Sequence, residues 1–523
     1  MSWMKLRGDS RVSPRHLFHS NGRGSPGLEF PYSAVVVFLV LSTLYIPLLP
    51  LELTRANFGG DGGDFLAAIL THGVAHPGGY PTYLLLGEAF QFIPLGTIPW
   101  RGALLSAIST AFAGGLVSLW VWHFLSPHSL SGQVISLIAG LAWGSAPLVW
   151  SQAVIVEVHG LQALMAVIWL WWVTLLRKGV RHTGGVSFLS WIAGLSLGNH
   201  LTIFLFIPAL IATILPLILK DFRGRQKLKF WLVQGLTFLL GASVYLLLPL
   251  RAQMYPPINW GNPQSWEGFW WVVSGQPYRG LVFHTSVEGM LERISAWARI
   301  LLEQFGLPGL VLGVLGAVIS DHDKVDRFQG LLLWVFGSFS AFAIGYDTPD
   351  SLVYLIPALL AGAVWVGKGA MLTFQWHWRG WRLGWLVSIG MLVFLLGRLP
   401  ETARQVDPRM ETEVEQFARE VLQKAPTGAL ILTEADEDTF PLWYAHFGLG
   451  ERPDVQIIVL PLTQFLWYRE TLRHIYPDLH WPSTDDLAGS AWGEALPGLN
   501  AGRPVCRTHV EREYQIQVRY ECR

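Results

Sequence analysis

Two aspartates stand three residues apart in Gly59-Gly60-Asp61-Gly62-Gly63-Asp64-Phe65, and His76 follows in His76-Pro77-Gly78-Gly79-Tyr80-Pro81. Other ionisable residues interrupt apolar sequence at Glu157 and His159, at His200 after Asn199, at Arg251, and at Asp347 with Asp350. A positioned carboxylate or imidazole takes the proton of a hydroxyl nucleophile. A guanidinium matches phosphate oxygens in a fork. Ionisable groups at or within a membrane are costly and usually functional. Gathered at one membrane face, this set suits chemistry on an anionic, amphipathic substrate. Each residue also has a plainer reading. Asp61 suits a glycine turn, Asp64 an N-cap for a helix starting at Phe65, and Arg251 an anchor that snorkels to the interface. Glu157 suits a structural pair with His200 or Arg251, and His76 shapes a loop before proline. His159 and Asp350 read as structural. There is no G-x-x-x-x-G-K-S/T loop, no H-E-x-x-H and no paired C-x-x-C, which argues against a nucleotide-driven pump and a zinc hydrolase. No inverted repeat is evident, which argues against a secondary transporter.

The elements that must position these residues are apolar. Of 523 residues, 51% are hydrophobic and 14% charged, with a mean hydropathy of +0.37. Soluble domains carry about 25% charge, so an ordinary soluble enzyme, a disordered chain and a nucleic-acid binder are excluded. The net charge of +0 draws no acidic or basic partner. The sequence predicts eleven spans, near 32–51, 102–124, 132–148, 156–176, 186–198, 201–219, 230–249, 297–319, 329–345, 351–367 and 383–399. Residues 64–96, broken at 76–81, read as two helices along the outer surface. This assignment puts the basic N-terminus and the loops 177–181, 220–229, 324–327 and 368–382 on the cytoplasmic side, as the positive-inside rule demands. The first apolar run then reads as a signal anchor, not a cleavable leader.

Charge divides the chain further. Residues 400–523 hold 20 of the 37 acidic residues and 12 of the 37 basic ones, so they read as a water-facing unit. The expected organisation is a cytoplasmic basic N-terminus (1–31), an all-α polytopic membrane domain (32–399) and a small extracytoplasmic α/β domain (400–523). In the last, Ala429–Leu432 and Val455–Leu460 read as strands around a helix at Phe440–Phe447. Asp436 and Asp438 read as acids favoured at a helix N-terminus, with a sugar or metal site as the alternative. Two cysteines rule out a disulfide scaffold. Cys506 and Cys522 flank a predicted hairpin in an oxidising setting, with their pairing open. In the loop 252–295, Trp260, Trp266, Trp270 and Trp271 read as an interface belt or a stacking wall for a sugar. Asn259 and Asn262 read as sugar ligands or turn residues.

On these residues the chain resembles the membrane protein O-mannosyltransferase-like family, whose bacterial members were long known only as a domain of unknown function. The resemblance rests on residues 59–68 and 73–81, on Gly198-Asn199-His200-Leu201-Thr202, and on Leu248-Pro249-Leu250-Arg251. It extends through 257–263, 273–278, 436–444 and 452–455, within 32–470. The family often has two prolines after the histidine, where this chain has Pro77-Gly78. It often has Glu at the second acidic position, where this chain has Asp64. The resemblance implies a GT-C-like fold and transfer of a hexose, mannose in the first instance, from a polyprenyl-phosphate donor to an acceptor hydroxyl. The acceptor is protein Ser/Thr, a glycan or a lipid, and the reaction inverts the anomeric centre at the outer membrane face.

In this reading Asp61 is the base and Asp64 its neighbour. Arg251, His200 and Asn199 hold the donor phosphate. His76, Glu157, Asn259, Trp260 and Asp347 line the substrate. No cofactor is implied beyond the donor itself, and a divalent cation stays open because paired acids suit one. The partners are the lipid bilayer, the lipid-linked sugar and the acceptor, with no nucleic acid. The alternative function is transport or flipping of a lipid-linked sugar without transfer.

Overall fold

The structure, a computed structural model, describes residues 31–125, 129–177, 183–221, 225–284, 286–319, 327–378, 381–482, 489–511 and 517–523. The basic N-terminus and parts of the basic loops at 177–181, 220–229, 324–327 and 368–382 lie outside the described residues.

The chain begins with α1 (Tyr32–Tyr45). Two short helices follow, α2 (Gly62–Leu70) and α3 (Pro81–Gln91). Next come α4 (Ile98–Leu125), α5 (Leu130–Gly144), α6 (Pro147–Ala153), α7 (His159–Arg177), α8 (Thr183–Leu197) and α9 (Ile207–Asp221). The bundle continues with α10 (Arg225–Ala242), α11 (Leu247–Ala252), α12 (Trp266–Val273), α13 (Val287–Val318), α14 (Arg327–Gly345) and α15 (Ile356–Leu372). A two-residue ladder of β1 (His377–Trp378) and β2 (Trp381–Arg382) leads into α16 (Leu383–Val406).

Every expected span coincides with helix, but not every one is a full crossing. Among the described residues seven helices are long and apolar enough to cross a membrane. The pair α5–α6, bent by 67°, makes an eighth if counted as one span. The apolar segments Tyr32–Leu48, Gly184–Leu197 and Leu201–Ala212 are shorter. At 1.5 Å per residue the first two come to less than a hydrocarbon core of about 30 Å, whereas the third continues as helix through α9 to Asp221. Of the eleven expected spans, several of them short, seven or eight are long apolar helices among the described residues. The expected span at 132–148 is bent at Pro147, where a ring that cannot continue a helix starts α6. At nine and eleven residues, α2 and α3 are also too short to cross, in keeping with two helices broken at 76–81.

The central helix is α4, which packs against α1, α5 and α7 and is buried along most of its length. Small residues let these backbones approach closely. A Cβ on Gly140 of α5 would sit 2.9 Å from the Gly114 carbonyl oxygen of α4.

The water-facing unit starts later than charge alone suggests. α16 runs through Leu399 and Pro400 to Val406, and α17 (Glu413–Lys424) begins after a short connection. Beyond it lie β3 (Leu430–Thr433), α18 (Asp436–Trp443), β4 (Gln456–Val459), α19 (Leu466–Ile475), β5 (Val505–Glu511) and β6 (Gln517–Cys522). The sheet order is β4-β3-β5-β6, with β3 parallel to both neighbours and β6 antiparallel to β5. All four residues of β3 are buried, as an apolar run covered on both faces must be. Cys506 and Cys522 face each other across the hairpin and are disulfide-bonded.

This unit is fastened to the loop that leads to Asp61. Glu411 accepts the backbone N–H of Arg55 at 2.6 Å and the Thr54 hydroxyl, and Glu415 accepts the Leu53 N–H at 3.0 Å. Asn57 donates to the Val406 carbonyl at 2.8 Å. On the other side of Asp61, a Cβ on Gly63 would lie 2.7 Å from the Phe440 carbonyl carbon and oxygen. Only glycine lets α2 and α18 come this close.

Gly63→Ala should therefore push α18 off α2 at a cost of about 1–3 kcal/mol, the usual range for overpacking. The detergent-purified variant should melt at a lower temperature and be cut faster by protease in the 407–412 connection. Unchanged melting and cleavage would show that the two helices do not need this contact.

Candidate active site

Local backbone geometry sets the site. Asn57 and Phe58 both have positive φ, 59° and 66°, a left-handed pair that side-chain-bearing residues seldom adopt. Such strain persists only where surrounding contacts enforce it. Here the Asn57 side chain is held by Val406, and its carbonyl accepts from Gln152 at 2.7 Å. The turn delivers Asp61 to the mouth of α2, where nothing lies within 4 Å of the Cβ position of Gly60. A second left-handed run, Gly78 (115°), Gly79 (66°) and Tyr80 (45°), reverses the chain after His76. The Gly79 N–H closes it on the His76 carbonyl at 2.9 Å.

These two turns bring Asp61, Asp64 and His76 together in an order that spacing does not reveal. Asp64 is fully buried in the first turn of α2. Its Oδ2 accepts from the His76 ring Nδ1 at 2.8 Å and from the His76 backbone N–H at 3.0 Å. Its Oδ1 accepts from the Trp260 indole N–H at 2.9 Å. A buried carboxylate is tolerated only when its oxygens are satisfied in this way. Nε2 of His76 then faces Asp61 Oδ2 at 3.5 Å. Asp64 is thus neither an N-cap nor a second catalytic carboxylate, because both oxygens are spent on orienting His76 and Trp260. The Asp61 side chain is 46% exposed and opens into the site.

The protonation states follow from this packing. Burial would depress the His76 imidazole, but Asp61 and Asp64 outweigh it and lift it to about 9. Burial raises the Asp61 carboxyl, His76 opposes, and Asp64 and Asp350 push it up further. Asp61 is therefore a better proton acceptor than an ordinary surface aspartate, held against an imidazolium.

Rings line the other side of the site. Tyr80 lies 4.9 Å from His76 and 6.1 Å from His200, and His200 lies 5.8 Å from His159 and 5.5 Å from Tyr354. His200 Nδ1 takes the Thr202 N–H at 3.2 Å, which puts its ring proton on Nε2 as a donor. Glu157 is buried, its Oε2 3.1 Å from the Val158 N–H and 4.0 Å from His159 Nε2. Its expected pairs with His200 or Arg251 are not formed. Burial and then the charge of Asp61 raise its carboxyl well above the usual range.

Other residues singled out from the sequence hold the frame. Arg251 is buried, donating to Glu88 at 2.6 Å and to the Gly73 carbonyl at 3.2 Å. The expectation of a free phosphate fork is corrected here: the guanidinium is spent on a neighbouring helix and on the strand before His76. Asn199 donates to the Val158 carbonyl at 3.3 Å. Asn259 bridges to Val74 along the backbone and donates to Asn262 at 3.3 Å. Asp347 pairs with Arg293 at 3.0 Å, and that guanidinium also holds the Ser351 hydroxyl at 2.8 Å. Of the two acids, Asp350 is the one whose charge reaches Asp61 and Glu157. No group of three or more His, Cys, Asp and Glu suited to a metal ion occurs among the described residues.

The C-terminal unit closes the site from above. A cavity of about 250 Å³ lies at the seam, lined by Trp260, Glu434, Asp436, Phe440, Trp443 and Leu462 among others. Trp260 is buried, with Trp443 and Trp467 each 5.9 Å away. It belongs to this seam, whereas Trp266 and Trp270 are exposed, as belt residues would be. Asp438 turns inward and accepts the N–H groups of Glu434 and Ala435, but Asp436 opens to the cavity. Surrounding walls, then the charge of Asp61, push the Asp436 carboxyl up to about 7 against the opposing His76. Sequence reasoning gave Asp436 no more weight than Asp438, and it did not single out Tyr354 or Trp443.

The chain is similar to known proteins in sequence and in fold. The family described as "Protein O-mannosyl-transferase TMEM260 N-terminal domain" matches residues 61–220, and "TMEM260-associated domain 2" matches 414–478. The chain is 25% identical over 504 residues to "Protein O-mannosyl-transferase TMEM260" of Mus musculus, covering 90% of this chain and 67% of that protein. It is 21% identical over 474 residues to the Dictyostelium discoideum protein of the same name, covering 81% of this chain and 57% of that one. In fold it is similar to ArnT from Cupriavidus metallidurans bound to undecaprenyl phosphate (TM-score 0.56, 13% identity, 92% of this chain and 97% of that one). It is also similar to the Archaeoglobus fulgidus oligosaccharyltransferase in complex with Zn and sulfate (TM-score 0.51, 13% identity, 91% and 68%).

The raised His76 imidazole predicts a pH signature. Its folded value near 9 lies above the ordinary 6.5 or so, so its contribution to stability is complete below about pH 6.5 and lost as pH rises through 9. The melting temperature of the purified protein should fall between pH 7 and 10, and His76→Gln should flatten that fall. An equal fall in both proteins would assign it to other groups.

Proposed function

We propose that the chain, similar in sequence to protein O-mannosyl-transferases and in fold to GT-C enzymes, is a multi-pass membrane glycosyltransferase that moves a mannose from a polyprenyl-phosphate carrier to a Ser or Thr hydroxyl of a protein. The observation that carries this reading is Asp61, an open carboxylate backed by His76 and, through it, by buried Asp64. The mannose is suggested by the names of the two relatives, and the carrier by the undecaprenyl phosphate bound to ArnT.

The acceptor hydroxyl enters beside Asp61. Its oxygen attacks the anomeric carbon from the face opposite the phosphate, and its proton passes to Asp61. The bond from the anomeric carbon to the phosphate oxygen breaks, and the lipid phosphate leaves with the bonding pair. One glycosidic bond replaces another, with inversion. The charge that develops on the phosphate needs donors in a site that excludes bulk water. In this reading His200 Nε2–H and the Tyr354 hydroxyl, whose rings lie 5.5 Å apart, supply them. Arg251 acts by position, holding Gly73 and hence the approach to His76. The carrier lies along the apolar helices, each buried methylene adding about 0.8 kcal/mol. In this proposal the site opens on the extracytoplasmic face, and the basic loops stay inside.

Asp61→Asn keeps the shape and removes the proton acceptor. Transfer should fall by roughly 10²–10⁴-fold, the usual worth of a positioned base, while melting temperature and carrier binding persist. Measured on purified protein with a radiolabelled polyprenyl-phosphate mannose and a Ser/Thr-rich peptide, near-full transfer by this variant would remove Asp61 from the role.

A further inference from the structure

The cavity at the seam has no part in the proton transfer just described. We propose that it receives a short segment of the acceptor polypeptide, neutral or basic beside the hydroxyl to be modified, so that the C-terminal unit selects the acceptor. This deepens the proposed transferase reading and rests on it.

The walls come from both units. Trp260 belongs to the membrane part, whereas Asp436, Phe440, Trp443 and Leu462 belong to the C-terminal part. The cavity therefore exists only in the assembled protein. It is joined to the proposed base through its lining: the Trp260 indole is bonded to Asp64, which orients His76 towards Asp61, and the charges of Asp61 and His76 act on Asp436.

The charge of the lining decides which substrate enters. Its ionisable side chains are Glu434 and Asp436. Glu434 has His509 3.7 Å away. Carboxylates at the mouth repel a lipid phosphate, so the donor belongs on the ring-lined side with His200 and Tyr354. A lysine, an arginine or a neutral residue is accepted, and the faces of Trp260 and Trp443 suit an alkyl stem or a cation.

The lining fits a peptide better than a sugar. Thr439 has spent its hydroxyl on Thr433 and Asp438. That leaves two carboxylates above an aromatic and aliphatic floor, enough for one cation but too few for a ring of hydroxyls. The segment does not enter by adding a strand at the outer edge of β4. There the N–H of Ile457 donates to the Tyr476 hydroxyl at 3.1 Å, and that of Val459 to the Tyr468 hydroxyl at 2.9 Å. The edge is closed, and a side chain must go into the cavity instead.

The test uses the full-length protein in nanodiscs, a polyprenyl-phosphate mannose donor and two Ser/Thr peptides that differ only in Lys or Glu residues beside the acceptor. The wild type should favour the Lys peptide by roughly tenfold in kcat/KM, as one partly screened ion pair allows. Asp436→Lys should erase or reverse that ratio. Glu434→Lys, which lies outside α18, should move it the same way. Trp443→Ala should raise KM for both peptides. A ratio that stays the same in both charge variants, or transfer to a glycan in place of either peptide, would overturn the assignment. Transfer of mannose to neither peptide and to no added glycan by the wild type would instead refute the reading on which this inference rests.

Discussion

A carboxylate with no exposed surface, Asp64, holds three separate pieces of chain in register. α2 supplies the carboxylate, the turn at 76–80 supplies an imidazole and a backbone N–H, and the loop after α11 supplies the Trp260 indole. Each donor is needed, because a buried ionised oxygen left unpaired is far more costly than an ordinary lost hydrogen bond. The reactive geometry hangs on this contact. His76 points at Asp61 because its other nitrogen is tied to Asp64, and Trp260 reaches the seam because its indole is tied there too.

From this pin the site divides by charge. On one side are imidazoles and phenols in ring contact, with a proton on His200 Nε2. On the other are carboxylates at the mouth of an aromatic cavity. Under the proposed function, an anionic leaving group and a neutral or cationic nucleophile are drawn to opposite sides of Asp61. The strained Asn57-Phe58 pair ahead of it is held by the end of α16 and by Gln152. The rigidity of the base thus comes from the membrane bundle and from its junction with the water-facing unit.

What the sequence disclosed follows from how local each feature is. Asp61, Asp64 and His76 were legible because they share one loop dense in glycine and proline. Their division of labour was not, since burial and the Trp260 contact join residues nearly 200 positions apart. Arg251 was misjudged because its partner, Glu88, is a single acid in a helix that composition reads as apolar. Asp436 and Asp438 look equivalent two residues apart. Only the start of α18 shows that one caps inward and the other faces the cavity. The membrane class and the α/β tail were visible in charge and hydropathy. The break within the 132–148 segment was not, because hydropathy does not register a 67° bend.

The fastening of residues 53–56 by Glu411 and Glu415 spans 355 to 362 positions of sequence. A ribosome builds the base-bearing loop long before it builds the clasp. During insertion that loop waits unsecured, and the seam with α18 does not yet exist. A half-made polypeptide already in the bilayer thus lacks the contacts that set the Asp61 carboxylate. That loop is secured only when the last quarter of the molecule has been made.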